Sequence, residues 1–92
     1  MYKLKKLNIE EGKTSLLPEG YVTRGHSLKL LDYETNAIGG IENITDILVG
    51  WQVLLEGLGD YHRTSKIKEI VSKDKDSVIF KTQTSTYKLT QL

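Results

Sequence analysis

The chain has 92 residues, 38% of them hydrophobic and 27% charged, with no cysteine and a formal net charge of +1. That length suits a single domain over residues 1–92 with one small core, burying somewhat over ~60% of the surface the unfolded chain exposes. The composition excludes a disulfide framework, a thiolate metal site and a cysteine nucleophile, and the small net charge gives no overall electrostatic case for nucleic acid. The charge is nevertheless segregated: residues 1–29 carry about +3, residues 30–60 hold six acids and no base, and residues 61–92 return to about +4. Either these segments neutralise one another in the fold, or the two ends form a positive surface opposed by an acidic loop or by another subunit.

Met1 to Ile9 predicts a first strand in which Tyr2 and Leu4 share one parity and Leu7 and Ile9 the other, a break that weakens it. Glu10-Glu11-Gly12-Lys13 and Leu17-Pro18-Glu19-Gly20 carry turn signals, since proline fixes φ and glycine permits φ > 0. Tyr21-Val22-Thr23 starts a second strand, Arg24-Gly25-His26 predicts a bulge or bend, and Leu28, Leu30 and the Leu31-Asp32-Tyr33 step resume it. Thr35 to Thr45, with the Gly39-Gly40 pair, predicts a long mobile loop. It includes a chance glycosylation sequon at Asn43-Ile44-Thr45.

Asp46 to Leu58 fits two periods. Ile41, Ile44, Leu48, Trp51, Leu55 and Leu58 fall on one helical face, whereas Ile47, Val49, Trp51, Val53 and Leu55 alternate as in a strand. Residue type favours the strand, because Ile, Val and Trp are strand formers and Gly50 costs a helix ~1 kcal/mol against alanine. The lone Trp51 then predicts a core centrepiece. Gly57-Leu58-Gly59-Asp60 predicts a turn into the most legible stretch, Asp60 to Leu92. There the polar break Ser72 to Ser77 separates Ile67, Ile70 and Val71 from Val78 and Phe80, a hairpin signal whose sign-alternating tip also discourages edge pairing. Val78 and Phe80 share one parity and Tyr87 and Leu89 the other, which predicts a face flip at Thr82-Gln83-Thr84-Ser85. The Thr64-Ser65 and Thr84-Ser85 pairs predict strand starts whose hydroxyls satisfy local backbone donors.

The expected fold is therefore all-β: a small antiparallel β-barrel or sandwich of five to six short strands. No run approaches the ~20 apolar residues of a bilayer span, and the N-terminus lacks the uninterrupted apolar stretch of a secretory signal. A soluble, cytoplasmic protein with no membrane partner is expected.

Tyr61-His62-Arg63-Thr64-Ser65-x-Ile67 followed by Val78-x-Phe80-x-Thr82-x-Thr84-Ser85-x-Tyr87-x-Leu89 resembles the ending of many short bacterial and phage proteins that form small barrels of the Src-homology-3-like kind. The resemblance covers about the C-terminal third of the chain. It implies a phage counter-defence protein that acts by binding, either as a sponge for a nucleotide-type immune signal or as an anti-CRISPR-like inhibitor that covers a host protein.

His26 and His62 each lie within two positions of Arg24 or Arg63, the only arginines in a chain that otherwise uses lysine. Arginine presents a planar fork suited to phosphate or carboxylate, which lysine does not. Arg24, His26, Tyr61, His62 and Arg63 are accordingly the candidate ligand-binding set, with tyrosine as a stacking surface. No G-x-S-x-G turn, H-E-x-x-H helix or Walker loop is present, so no enzyme is expected. Two histidines and scattered acids fall short of the three or four ligands a zinc site needs, and no cofactor is expected. The function predicted is a non-enzymatic, homo-oligomeric binding module for a small anionic ligand. A host protein is the alternative partner, and single-stranded nucleic acid a weaker one.

Overall fold

Two antiparallel sheets pack face to face in the computed structural model, which describes residues 1–15, 17–32, 34–41, 43–57, 59 and 61–92. Among those residues nine strands form: β1 (Tyr2–Ile9), β2 (Val22–Gly25), β3 (Ser27–Leu31), β4 (Ile38–Gly40), β5 (Gln52–Glu56), β6 (Tyr61–Arg63), β7 (Ile67–Lys73), β8 (Ser77–Thr82) and β9 (Ser85–Gln91). The five-stranded sheet has the order β2-β1-β9-β8-β7 and the four-stranded sheet β4-β3-β5-β6. The fold is all-β, a small sandwich that does not close into a barrel.

The excess over the expected five or six strands has a physical origin. β2 and β3 are one path bent at His26, whose amide donates to Glu56 O at 2.8 Å. β6 and β7 are likewise nearly continuous. Between them Thr64 N donates to Val53 O at 2.9 Å, Ile67 N to Trp51 O at 2.8 Å and Gly50 N to Ile67 O at 2.8 Å, so the chain stays beside β5 while it crosses to the other sheet. Two bent strands thus stitch the sheets together at opposite corners, and the short edge strand β4 adds to the count.

β1 forms over its whole predicted length because a β-bulge repairs its parity. Leu4 faces Leu89 and Lys6 faces Tyr87, but the next partners are Asn8 and Thr86, so one extra residue is absorbed between Lys6 and Asn8. In the β7-β8-β9 meander the predicted hairpin forms, with Asp74 N donating to Ser77 O at 2.9 Å across the tip. The expected face flip between Phe80 and Tyr87 does not occur. The turn at Gln83-Thr84 has two residues, so opposed positions pair even with odd numbers, and Val78↔Leu89 and Phe80↔Tyr87 all face inward.

The 46–58 segment is a strand only at Gln52–Glu56; Leu58 lies outside the described residues, as do Tyr33 of the predicted second strand and Glu42 and Asp60 of the predicted loop and turn. Ahead of it, Ile44–Asp46 forms one 3-10 turn whose cap, the Asn43 side chain, accepts from Thr45 N at 3.2 Å. Ile44 and Ile47 are fully buried and plug one end of the core, while Gly50, at φ +94°, turns the chain into β5. Trp51 is half-buried against the core and is not its centre. That place belongs to Phe80, stacked on Tyr87 with ring centroids 5.5 Å apart and planes at 25°. Leu28, Leu30, Val53 and Leu55 oppose them from the other sheet.

A basic cleft between the sheets

Strand parity dictates which side chains reach the gap between β1, β6 and β9. On β1 the inward series runs Tyr2, Leu4, Lys6, and it places a lysine in line with the core. Lys6 is 2% exposed. Its ammonium donates to Ser15 Oγ and, at 3.0 Å, to Leu17 O, and it lies 5.5 Å from the centroid of the Tyr87 ring. No carboxylate among the described residues pairs with it. Burial disfavours the charged amine and pulls its pKa below the usual 10.5, while burial raises that of Tyr87 above 10 despite a hydrogen bond from Ser85.

On β6 the inward residue is His62, opposite Leu55. Its ring sits between Tyr21, at 6.3 Å, and Tyr87, at 6.1 Å and 62°. Past β6, Thr64 anchors the strand crossing. Its Oγ1 accepts from Val53 N at 3.1 Å and donates to Ser65 O at 2.8 Å, and its carbonyl accepts from Gln52 Nε2 at 2.8 Å. In the second Thr-Ser motif the local donors are satisfied by the threonine two residues earlier: Thr82 Oγ1 accepts from Thr84 N at 3.3 Å and Ser85 N at 3.2 Å. Thr64→Val keeps the shape but strands the buried Val53 amide, and is expected to lower the unfolding free energy by about 2 kcal/mol in urea titrations. A change under about 0.5 kcal/mol would show that the crossing is held by packing alone.

These groups enclose a cleft of about 390 Å³ lined by Lys6, Thr14, Ser15, Leu17, Tyr61, His62, Arg63, Ser65, Thr84 and Tyr87. Among the described residues that line it, three are basic and none is acidic. Ser65 Oγ is buried there without a hydrogen-bond partner among the described residues. No family and no characterised protein or solved structure matches the chain.

Of the candidate set read from the sequence, Tyr61, His62 and Arg63 therefore meet at one cleft. Tyr61 and Arg63 have the opposite parity to His62 and also border a hollow of about 520 Å³ on the outer face of the four-stranded sheet, where Lys29 is paired with Glu56 at 2.9 Å. His26 lies at the β2–β3 bend and lines a separate hollow with Tyr2 and Ile41. Arg24 is opposite Lys3 on the outer face of the five-stranded sheet. The two arginine-histidine pairs do not line one cleft within one chain: Ser27 and Tyr61 flank Glu56 at the same end of the four-stranded sheet, but the bend at Gly25 and His26 carries Arg24 into the five-stranded sheet. Lys6, the cleft's buried cation, is absent from the sequence-derived set, although its shared parity with Tyr2 and Leu4 marks it as inward-facing. Among the described residues no group of three or more His, Asp or Glu is arranged to hold a metal ion, and no helix is long and apolar enough to cross a membrane.

Proposed function

We propose that the protein is a non-enzymatic binding module that holds a small anion of nucleotide type in the cleft between its sheets. One observation carries this reading: a buried ammonium, Lys6, borders a cleft that also presents His62 and Arg63 and, among the described residues, contains no carboxylate. A buried charge without a counter-charge is costly, and an anion that enters the cleft relieves that cost. The volume lies within the ~300–1,000 Å³ of small-molecule sites. Ser65 Oγ and the Lys6 ammonium supply hydrogen bonds to anionic oxygens, the Arg63 fork adds a bidentate contact at the rim, and Tyr61, 68% exposed, offers a face for a base to stack on.

In the phage counter-defence role that the sequence resemblance suggests, the protein acts in the host cytoplasm by capturing a nucleotide-type immune signal. Leu48 and Val49, side by side and 53% and 57% exposed, are the surface that a second copy covers in this proposal. A host protein that covers the same pair is the alternative reading. Native mass spectrometry of the purified protein separates the two. A defined oligomer that retains a nucleotide-sized mass, lost in Arg63→Ala and with at least a tenfold weaker affinity on re-addition, supports the cleft. A bare monomer that binds no nucleoside phosphate in calorimetry overturns it and moves the weight to a protein partner.

A further inference from the structure

Strand register places a second basic feature on the far side of the five-stranded sheet. The outward series of β1 is Lys3 and Lys5, and their cross-strand partners are Arg24 on β2, opposite Lys3, and Lys88 on β9, opposite Lys5. With strands about 4.8 Å apart and same-face residues about 6.7 Å apart along a strand, four cations occupy a patch roughly 10 Å by 7 Å. None of the four forms an ion pair among the described residues; Glu69, on β7 of the same sheet, is 4.0 Å from Lys81.

Like charges directly opposed across strands destabilise a sheet, and here two such pairs sit side by side, one on the β1–β2 ladder and one on the β1–β9 ladder. From this juxtaposition we infer that the outer face of the β2-β1-β9 ladder docks the phosphate backbone of a nucleic-acid duplex. Three observations select that partner. The patch is flat and lies across paired strands, so it presents a lattice of cations without a concave pocket for a small ligand. The outward residues of β1, β2, β8 and β9 include no aromatic side chain, so the base stacking that single-strand binders rely on is missing. A second copy of the chain is a poorer counterpart, because three acids of its acid-rich middle are already engaged: Glu56 holds Lys29, Glu34 holds Lys66, and Asp32 accepts from Glu34 N and Thr35 Oγ1. A duplex offers one negative charge per ~1.7 Å of axis without regard to sequence, which suits four cations and no base-reading group.

The net charge of +1 hides this face, because the cations that compose it come from the two basic ends of the chain, while the base-free stretch of residues 30–60 runs through the other sheet and its loops. The site is separate from the inter-sheet cleft, since Lys6 points to the opposite side of β1 from Lys5.

Fluorescence anisotropy with a labelled 20-base-pair duplex tests it, using the full chain, from 20 to 200 mM salt. Binding in the micromolar range at low salt is expected, with log K falling against log salt at a slope of about −3.6 for four phosphate contacts. Lys5→Glu and Lys88→Glu should each weaken binding at least tenfold. Each also converts a like-charge pair into an opposite-charge pair, so the melting temperature should rise by about 2–6 °C. That rise shows that lost binding is not lost folding. No binding at 20 mM salt, a slope shallower than about −1, or unchanged affinity in both variants overturns the proposal. So does equal or tighter binding of polyglutamate or of a single-stranded oligonucleotide at the same residues, which would assign the face to an acidic protein or to unpaired nucleic acid.

Discussion

Gly25→Ala is expected to destabilise the protein by about 3 kcal/mol, a large share of the ~5–15 kcal/mol that holds a domain together. The origin is contact and not backbone conformation, because Gly25 is not among the glycines with positive φ. A Cβ at this position would lie 2.6 Å from Glu56 O, 2.8 Å from Leu55 Cγ and 2.9 Å from Glu56 C. Neither neighbour can retreat. Glu56 O accepts the His26 amide at 2.8 Å, and Leu55 is fully buried in the core. The added methyl therefore pries β2 away from β5 at the corner where the chain passes between sheets. Gly40→Ala is the matched control, since a Cβ there meets nothing within 4 Å, and its unfolding free energy in urea titrations should stay within about 0.5 kcal/mol of the parent. Equal midpoints for the two variants would mean that the corner is not a close-packed junction.

The same corner shows what the sequence could and could not disclose. The glycine between Arg24 and His26 announces an interruption, but its consequence, that one strand serves two sheets, depends on Glu56 thirty-one positions away. The meander from Ile67 to Gln91 was legible because each of its features is local: a run of charges for one turn, a two-residue turn for the next, and alternation between. Parity arguments failed there only in the step from numbering to geometry, since a two-residue turn pairs even positions with odd ones and keeps Phe80 and Tyr87 on one face. Trp51 was misplaced for another reason. Its size favours the core, but Gly50 turns the chain immediately before it, and the smaller Ile44 and Ile47 take the buried positions instead.

The candidate site was half legible. Tyr61, His62 and Arg63 are contiguous, so any strand through them brings them to one edge. The pairing of that edge with Lys6 required the register of β1, and β1 contains a bulge at the very next residue. A lysine among alternating lysines looks solvent-facing until the alternation is counted from Tyr2, after which Lys6 falls inward and Lys3 and Lys5 outward. One strand thus supplies the cleft with its buried cation and the opposite face with two of its four outward-facing ones.

Lys6→Met should separate ligand binding from folding more sharply than any other change in the cleft. Methionine approximates the length of the buried stem and removes the charge, so the desolvation cost of the ammonium disappears together with its bonds to Ser15 Oγ and Leu17 O. Ser15 and Leu17 are only half-buried and can turn to water. Replacement of a buried charge by an apolar group of similar shape is often neutral or stabilising, and a stability change within about 1 kcal/mol is expected. Affinity for a nucleoside phosphate should fall about 100-fold, roughly 3 kcal/mol, because the anion loses the one buried counter-charge among the described residues. The pH dependence fixes the assignment. Folding holds the Lys6 pKa below 10.5, so its contribution is least favourable while the amine is charged and recovers as pH rises through the lowered value toward 10.5. Tyr87 works in the opposite sense, its contribution lost as pH climbs above 10, but it is common to both proteins and cancels in their difference. The wild type should therefore gain stability relative to Lys6→Met as pH is raised toward 10.5 in urea titrations. A gap that stays flat would show that Lys6 is not desolvated, and a variant that loses several kcal/mol yet still binds would make Lys6 a pin for the 13–19 loop and remove the cleft's central cation from the binding argument.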